Sequence, residues 1–240
     1  MTGRKTAKMS DMIKRHKASS NDTTDVASGT SADSGFTAGA DENLKLRPGF
    51  NLTDHFLIAM PSMLDPIFVG TVVYLCEHNQ NGALGVVINK PVGMTMDVLF
   101  DRIDLKLNIV HDSSDARPDL SRTPVMFGGP VQVERGFVLH TGMNPFSSTL
   151  QVTDEISLTT SKDVLEAVAH GDGPRQILVS LGCSGWSAGQ LEEELVRNGW
   201  LTVKADPSII FGLPVEQRFT AALALLGIDP VMLSNDFGRA

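Results

Sequence analysis

The sequence holds little of what covalent or metal chemistry needs. Its 240 residues include only two cysteines, Cys76 and Cys183. Two cysteines do not make a disulfide framework, and no Cys/His spacing matches a zinc site. No stretch approaches the ~18 consecutive apolar residues that a membrane span requires. The N-terminus is basic but lacks the apolar run of a signal peptide. Walker A and G-x-G-x-x-G patterns are absent, which removes the standard nucleotide sites. These absences predict a cytoplasmic protein with no membrane contact, no metal and no cofactor.

What is present is an ordinary globular composition, 42% hydrophobic and 20% charged, in a chain long enough to bury a core without staples. The net charge is −8 and the pI about 5.2. Residues 1–17 hold Arg4, Lys5, Lys8, Lys14, Arg15 and Lys17 against Asp11, while residues 18–43 hold Asp22, Asp25, Asp33, Asp41 and Glu42 with no base. The two stretches cancel, so the rest of the chain carries the whole negative charge. That argues against direct nucleic-acid binding, which needs a basic face.

Residues 1–43 are dominated by Ser, Thr, Asp, Gly and Ala after Lys17 and read as a disordered extension that cannot offset its ordering entropy. Residues 44–240 read as one domain. The strongest local signal is the stretch from Glu77 to Pro91. It links the apolar runs Thr71–Cys76 and Ala83–Ile88 through an Asn81-Gly82 corner, a hairpin signature. Both runs are continuously apolar, which predicts cover on both faces. Further strands are expected over Phe56–Met60, Leu105–Val110, Pro124–Phe127, Gly136–His140, Leu150–Val152, Ile156–Leu158, Gln176–Leu181 and Trp200–Val203. Helices are expected from Thr95 to about Asp101, from Thr160 or Ser161 to His170, after Ser187 with Leu191, Leu195 and Val196 inward, at Asp206-Pro207, and from Pro214 to Gly227. Strands early and helices late give an α+β fold. The expected architecture is a single domain with a large, mixed, barrel-like sheet and flanking helices.

Several motifs carry possible chemistry. Gly185-Trp186-Ser187-Ala188-Gly189 spells G-x-S-x-G, the nucleophile elbow, but Ser187 falls beyond a strand expected to end at Leu181. The elbow also needs a histidine downstream, and the histidines are 16, 55, 78, 111, 140 and 170. Ser187 reads instead as a helix cap with Gln190 reaching back. Cys183, in an expected glycine-rich turn before a helix, is a candidate thiolate. Glu77-His78 is an acid–base candidate whose members point to opposite strand faces, so His78 reads as a hydrogen-bonded structural residue. Asp112-Ser113-Ser114-Asp115 lacks the alternation and glycine of a calcium loop. The site reading that combines most residues places three strand ends at one rim: Asn89-Lys90-Pro91, Gly128-Gly129-Pro130 and Gly182–Trp186. Free amides there, with Lys90, form an anion-friendly cleft. Its ligand-binding residues are Asn89, Lys90, Gly128, Gly129, Cys183, Ser184 and Trp186.

These residues also carry a resemblance. Pro61–Phe68, Val72–Asn79, Gly82–Pro91, Gly128–Val131 with Gly136–His140, Gly182–Trp186 with Gly189–Glu192, Asn198–Trp200, and the segment from Leu226 to Ala240 together resemble the YqgE/AlgH family of bacterial proteins. The resemblance covers about residues 44–240. It implies a mixed α/β domain of the bacterial cytoplasm with a β-rich core, and supplies no catalytic residues. One branch of the family carries the label of a transcriptional regulator in exopolysaccharide synthesis. The first functional reading is a non-enzymatic protein that binds a small ligand or a protein partner, with a regulatory outcome. Two others stand beside it: a transcriptional regulator whose basic residues 1–17 contact nucleic acid, and a thiol enzyme using Cys183. Neither the partner nor the oligomeric state is written in the sequence.

Overall fold

The Asn81-Gly82 corner closes as expected. In the computed structural model, which describes residues 50–106, 120–142 and 146–229, β2 (Val72–Asn79) and β3 (Gly82–Val87) pair antiparallel, with Asn79 opposite Gly82. The expected extension over 1–43 and most of the expected strand over 105–110 lie outside the described residues. Leu105 and Lys106, which do not, are not in a strand.

Around the hairpin, β1 (His55–Ala59), β4 (Pro91–Thr95), β5 (Pro124–Phe127), β6 (Val131–Thr141), β7 (Thr149–Gln151), β8 (Ile156–Thr159), β9 (Ile177–Ser187) and β10 (Trp200–Lys204) complete a ten-stranded sheet. Its main path runs β10-β1-β2-β3-β9-β6-β8-β7 and curls into a half-barrel, with β4 and β5 set beside β9 off that path. The pairing is antiparallel except that β5 runs parallel to β9, so the sheet is mixed, as the sequence implied. The helices are α1 (Met96–Arg102), α2 (Asp163–His170), α3 (Gln190–Val196), α4 (Pro207–Phe211) and α5 (Arg218–Ala224).

β1, β2 and β3 are buried on both faces, which explains their unbroken apolar runs. Leu57, Ala59, Val73, Leu75, Ala83 and Val87 form one cluster with Trp186, Trp200 and Leu191 of α3. Phe56, Ile58, Val72 and Tyr74 alternate with them and are equally buried; α5 lies against β1 and β2. A second cluster joins α1 and α2 to the other half of the sheet through Met96, Leu99, Phe100, Val125, Val138, Val164, Leu165, Val168 and Val179.

β9 holds the two halves together. Its first half pairs with β6 on one edge and β5 on the other, and its second half pairs with β3. The expectation that the strand ends at Leu181 is corrected here. The strand continues through Gly182, Gly185 and Trp186 to Ser187, and at Gly182 it packs backbone on backbone, a Cβ there standing 2.4 Å from the Gly129 oxygen. Two helix expectations shift as well. α2 begins at Asp163 rather than at Thr160 or Ser161. Pro214 leads into a short 3-10 turn, Val215–Gln217, before α5.

Candidate functional site

The three strand ends do meet, but not as a row of free amides. Gly128 donates its N–H to the Leu181 carbonyl at 2.9 Å, and its own carbonyl accepts from the Val87 N–H at 2.9 Å and from Ser184 Oγ at 3.1 Å. A Cβ on Gly128 would stand 2.1 Å from the Gly182 oxygen, and one on Gly129 2.4 Å from the carbonyl carbon of Cys183. Chain therefore lies directly on chain. Gly128, Gly129, Cys183 and Ser184 are all buried, so the cleft expected there is filled by the crossing of β9 with the β5–β6 turn.

Cys183 lies in the strand at that crossing, not in a turn. Burial pushes its thiol up to about 12, with Arg135 pulling weakly the other way, and its Sγ contacts the Val131 carbonyl at 3.7 Å. Ser187, conversely, does stand at the end of a strand, which removes one of the arguments against an elbow. The downstream order of residues still fails that motif. Nor does Ser187 cap the helix: Gly189 holds the N-cap position, and only the return half of the expected box forms, Gln190 Oε1 accepting the Ser187 N–H at 3.1 Å.

Trp186 is elsewhere, packed against Phe68 and Trp200 beneath α3. Both indole N–H groups donate to one oxygen of Glu194, at 3.0 and 2.9 Å. Glu192 also turns inward, 3.0 Å from Nε2 of His78. The sequence places Val196 inward, with Leu191 and Leu195. In the structure Val196 is 60% exposed and the helix docks through two carboxylates.

A bulge makes the first of these contacts. The register of β2 shifts between Leu75 and Glu77, so His78 stands opposite Ala83 and shares its face. Ala83 in turn stands opposite Trp186, which puts His78 on the α3 side. Its Nδ1 accepts from the Leu52 N–H at 2.9 Å, so the ring proton sits on Nε2, facing Glu192. Glu77 instead binds Asn79 Nδ2. His78 is structural, as the sequence suggested, and its acidic partner is distant in sequence. His140 is likewise buried and bound to Thr159 Oγ1 at 2.9 Å, and desolvation lowers its pKa.

The remaining corner, after β3, is differently built. Asn89 is a clamp: its Oδ1 accepts the Val72 N–H at 2.8 Å and its Nδ2 donates to the Gly70 carbonyl at 2.9 Å. Lys90 is half-buried, with Nζ on the Ile67 carbonyl at 2.9 Å and 5.4 Å from the Phe127 ring centre. Two residues before Lys90, the Ile88 carbonyl accepts from Nη1 of Arg218 at 2.6 Å. Arg218 escaped the sequence reading although its spacing was legible: it stands one helical turn before Ala222, on the apolar stripe of α5. Burial pushes its guanidinium down to about 10, with Glu216 opposing.

The sequence profile described as AlgH-like matches residues 56–231 of this chain. The chain belongs to the AlgH-like family. A UPF0301 protein of Ralstonia nicotianae is 62% identical over 190 residues, covering 79% of this chain and 96% of its own length. One from Chromobacterium violaceum is 58% identical over 190 residues, covering 79% and 98%. The solution structure of the AlgH protein from Pseudomonas aeruginosa superposes with a TM-score of 0.63 at 44% identity, covering 82% of this chain and 100% of that one. A crystal structure of a Corynebacterium diphtheriae protein, at 16% identity and a TM-score of 0.55 over 74% of this chain and 88% of its own, shares the fold. The AlgH-like profile spans the crossing, the α3 dock and the Lys90 corner alike. Among the described residues no helix is long and apolar enough to cross a membrane.

Proposed function

We propose that this AlgH-like chain is a non-enzymatic cytoplasmic binding protein, taking a small ligand or a protein partner with a regulatory outcome. The ligand is met at the Asn89–Lys90 corner. The observation that carries this reading is Lys90: an ammonium set on a carbonyl and a ring, with no carboxylate in contact among the described residues. A thermal-shift screen of metabolites and nucleotides tests it, because a native-state ligand stabilises by mass action, about 2.7 kcal/mol at a hundredfold excess over Kd. The expected hit stabilises the wild type and fails to stabilise Lys90→Ala. A hit that stabilises both equally places binding elsewhere.

The thiol-enzyme reading loses support from the burial of Cys183 and the rise of its pKa to about 12. Cys76 is also buried and desolvation raises its pKa well above the usual thiol range. At pH 8 the native protein is expected to show no fast-reacting thiol towards an aromatic disulfide, and two after denaturation in guanidinium. A burst of one thiol from the native protein would restore the enzyme reading.

A further inference from the structure

Three consecutive residues after β3 are each tied to a different part of the fold. Ile88 binds Arg218, Asn89 binds Gly70 and Val72, and Lys90 binds Ile67. The turn at 88–90 therefore carries one cation on the Ile88 carbonyl and, two residues on, a second at Lys90 that reaches back to Ile67. At its rim, Val69 and Gly70 are exposed.

Arg218 is the unusual member. It is 8% exposed, yet no carboxylate touches it among the described residues; its bonds are to the carbonyls of Leu213, at 3.1 Å, and Ile88. Two neutral acceptors do not neutralise a desolvated cation, which ordinarily survives burial by pairing with an anion. A guanidinium has five N–H groups, and these bonds engage Nε and one hydrogen of Nη1. Among the described residues no hydrogen bond engages Nη2. The Nη1–Nη2 end of the guanidinium is a planar fork matched to two oxygens of one anion.

We propose that the free fork of Arg218, with the ammonium of Lys90, binds an oxyanion group, the phosphate or carboxylate of a small ligand. The proposal rests on the ligand-binding reading of the Lys90 corner and names the chemistry recognised there. Low-dielectric walls around both cations strengthen their field at the corner, while the net charge of −8 lowers non-specific anion binding elsewhere on the surface.

The test uses the full chain, with inorganic phosphate and acetate as separate probes at constant ionic strength set by chloride. Backbone amide resonances of Ile88, Asn89 and Lys90 are followed by NMR. Phosphate or acetate is expected to shift them saturably where chloride does not, and the tighter of the two identifies the group. Lys90→Ala removes one carbonyl contact and is expected to fold and to weaken binding about tenfold. Arg218→Lys keeps the charge and loses the fork, and is expected to weaken binding at least as much. If neither probe moves these resonances, or if both variants bind as the wild type does, the oxyanion assignment is overturned. A metabolite that shifts the same resonances while phosphate and acetate do not would keep the corner as a ligand site and remove only its anionic chemistry.

Discussion

Gly129→Ala is expected to cost the domain about 4 kcal/mol or more, a large share of the roughly 5–15 kcal/mol that holds a typical domain folded. The residue sits at φ +145, and a Cβ there would meet the Cys183 carbonyl carbon and oxygen at 2.4 Å and the Ser184 nitrogen at 2.5 Å. All three atoms are backbone atoms of β9, and β9 is held by β3, β5 and β6. No side chain can rotate away, so relief requires moving the strand that joins both halves of the sheet. Gly142→Ala is the control: φ is +89 and nothing lies within 4 Å of its added Cβ, so only the left-handed backbone penalty of about 1–2 kcal/mol applies. Urea unfolding of both variants, followed by circular dichroism, gives the comparison. Equal midpoints would mean that the crossing yields easily.

His78→Ala is expected to cost about 3–5 kcal/mol. The ring bridges two buried groups, the Leu52 N–H and the Glu192 carboxylate, and its removal strands both. Glu192 is 8% exposed, so the carboxylate has little water to turn to. Glu192→Gln keeps an oxygen to accept from Nε2 and is expected to cost only about 1 kcal/mol. That asymmetry separates a hydrogen bond that an amide oxygen can replace from an ion pair that needs the Glu192 charge. Both tryptophans of the chain lie beneath α3 through Glu194, so intrinsic fluorescence reports whether the helix has left the sheet. Equal losses in the two variants would show that the contact needs the Glu192 charge and not only an accepting oxygen.

The hairpin, the buried strands and the α+β class were legible because period and turn chemistry are local. What stayed hidden depended on partners far along the chain. Gly182 and Gly185 read as loop because glycine weakens an isolated strand; at Gly182, where a Cβ would stand 2.4 Å from the Gly129 oxygen, only glycine fits. The inward turn of Glu192 and Glu194 was hidden because carboxylates are rarely buried unless paired, and the indoles and imidazole that hold them come from three different strands. The bulge after Leu75 reversed which face His78 occupies, and no residue type in Leu75-Cys76-Glu77 announces it. Lys90 was legible as a cation at a strand end. Arg218 was legible as a charge on an apolar stripe, but its nearness to Ile88 spans 130 residues of chain.

The central position of β9 also sets the order of assembly during synthesis. The strand that closes both half-sheets is made late, at Ile177–Ser187, after β1 to β8. A nascent chain ending before it carries three strand groups, β1–β3, β4–β5 and β6–β8, that share no paired neighbour and leave open strand edges, a state that favours pairing with other chains. Completion waits on contacts between distant parts of the sequence, which places this domain among the slow folders. The same strand that makes the finished molecule one body leaves its unfinished form the most exposed to aggregation.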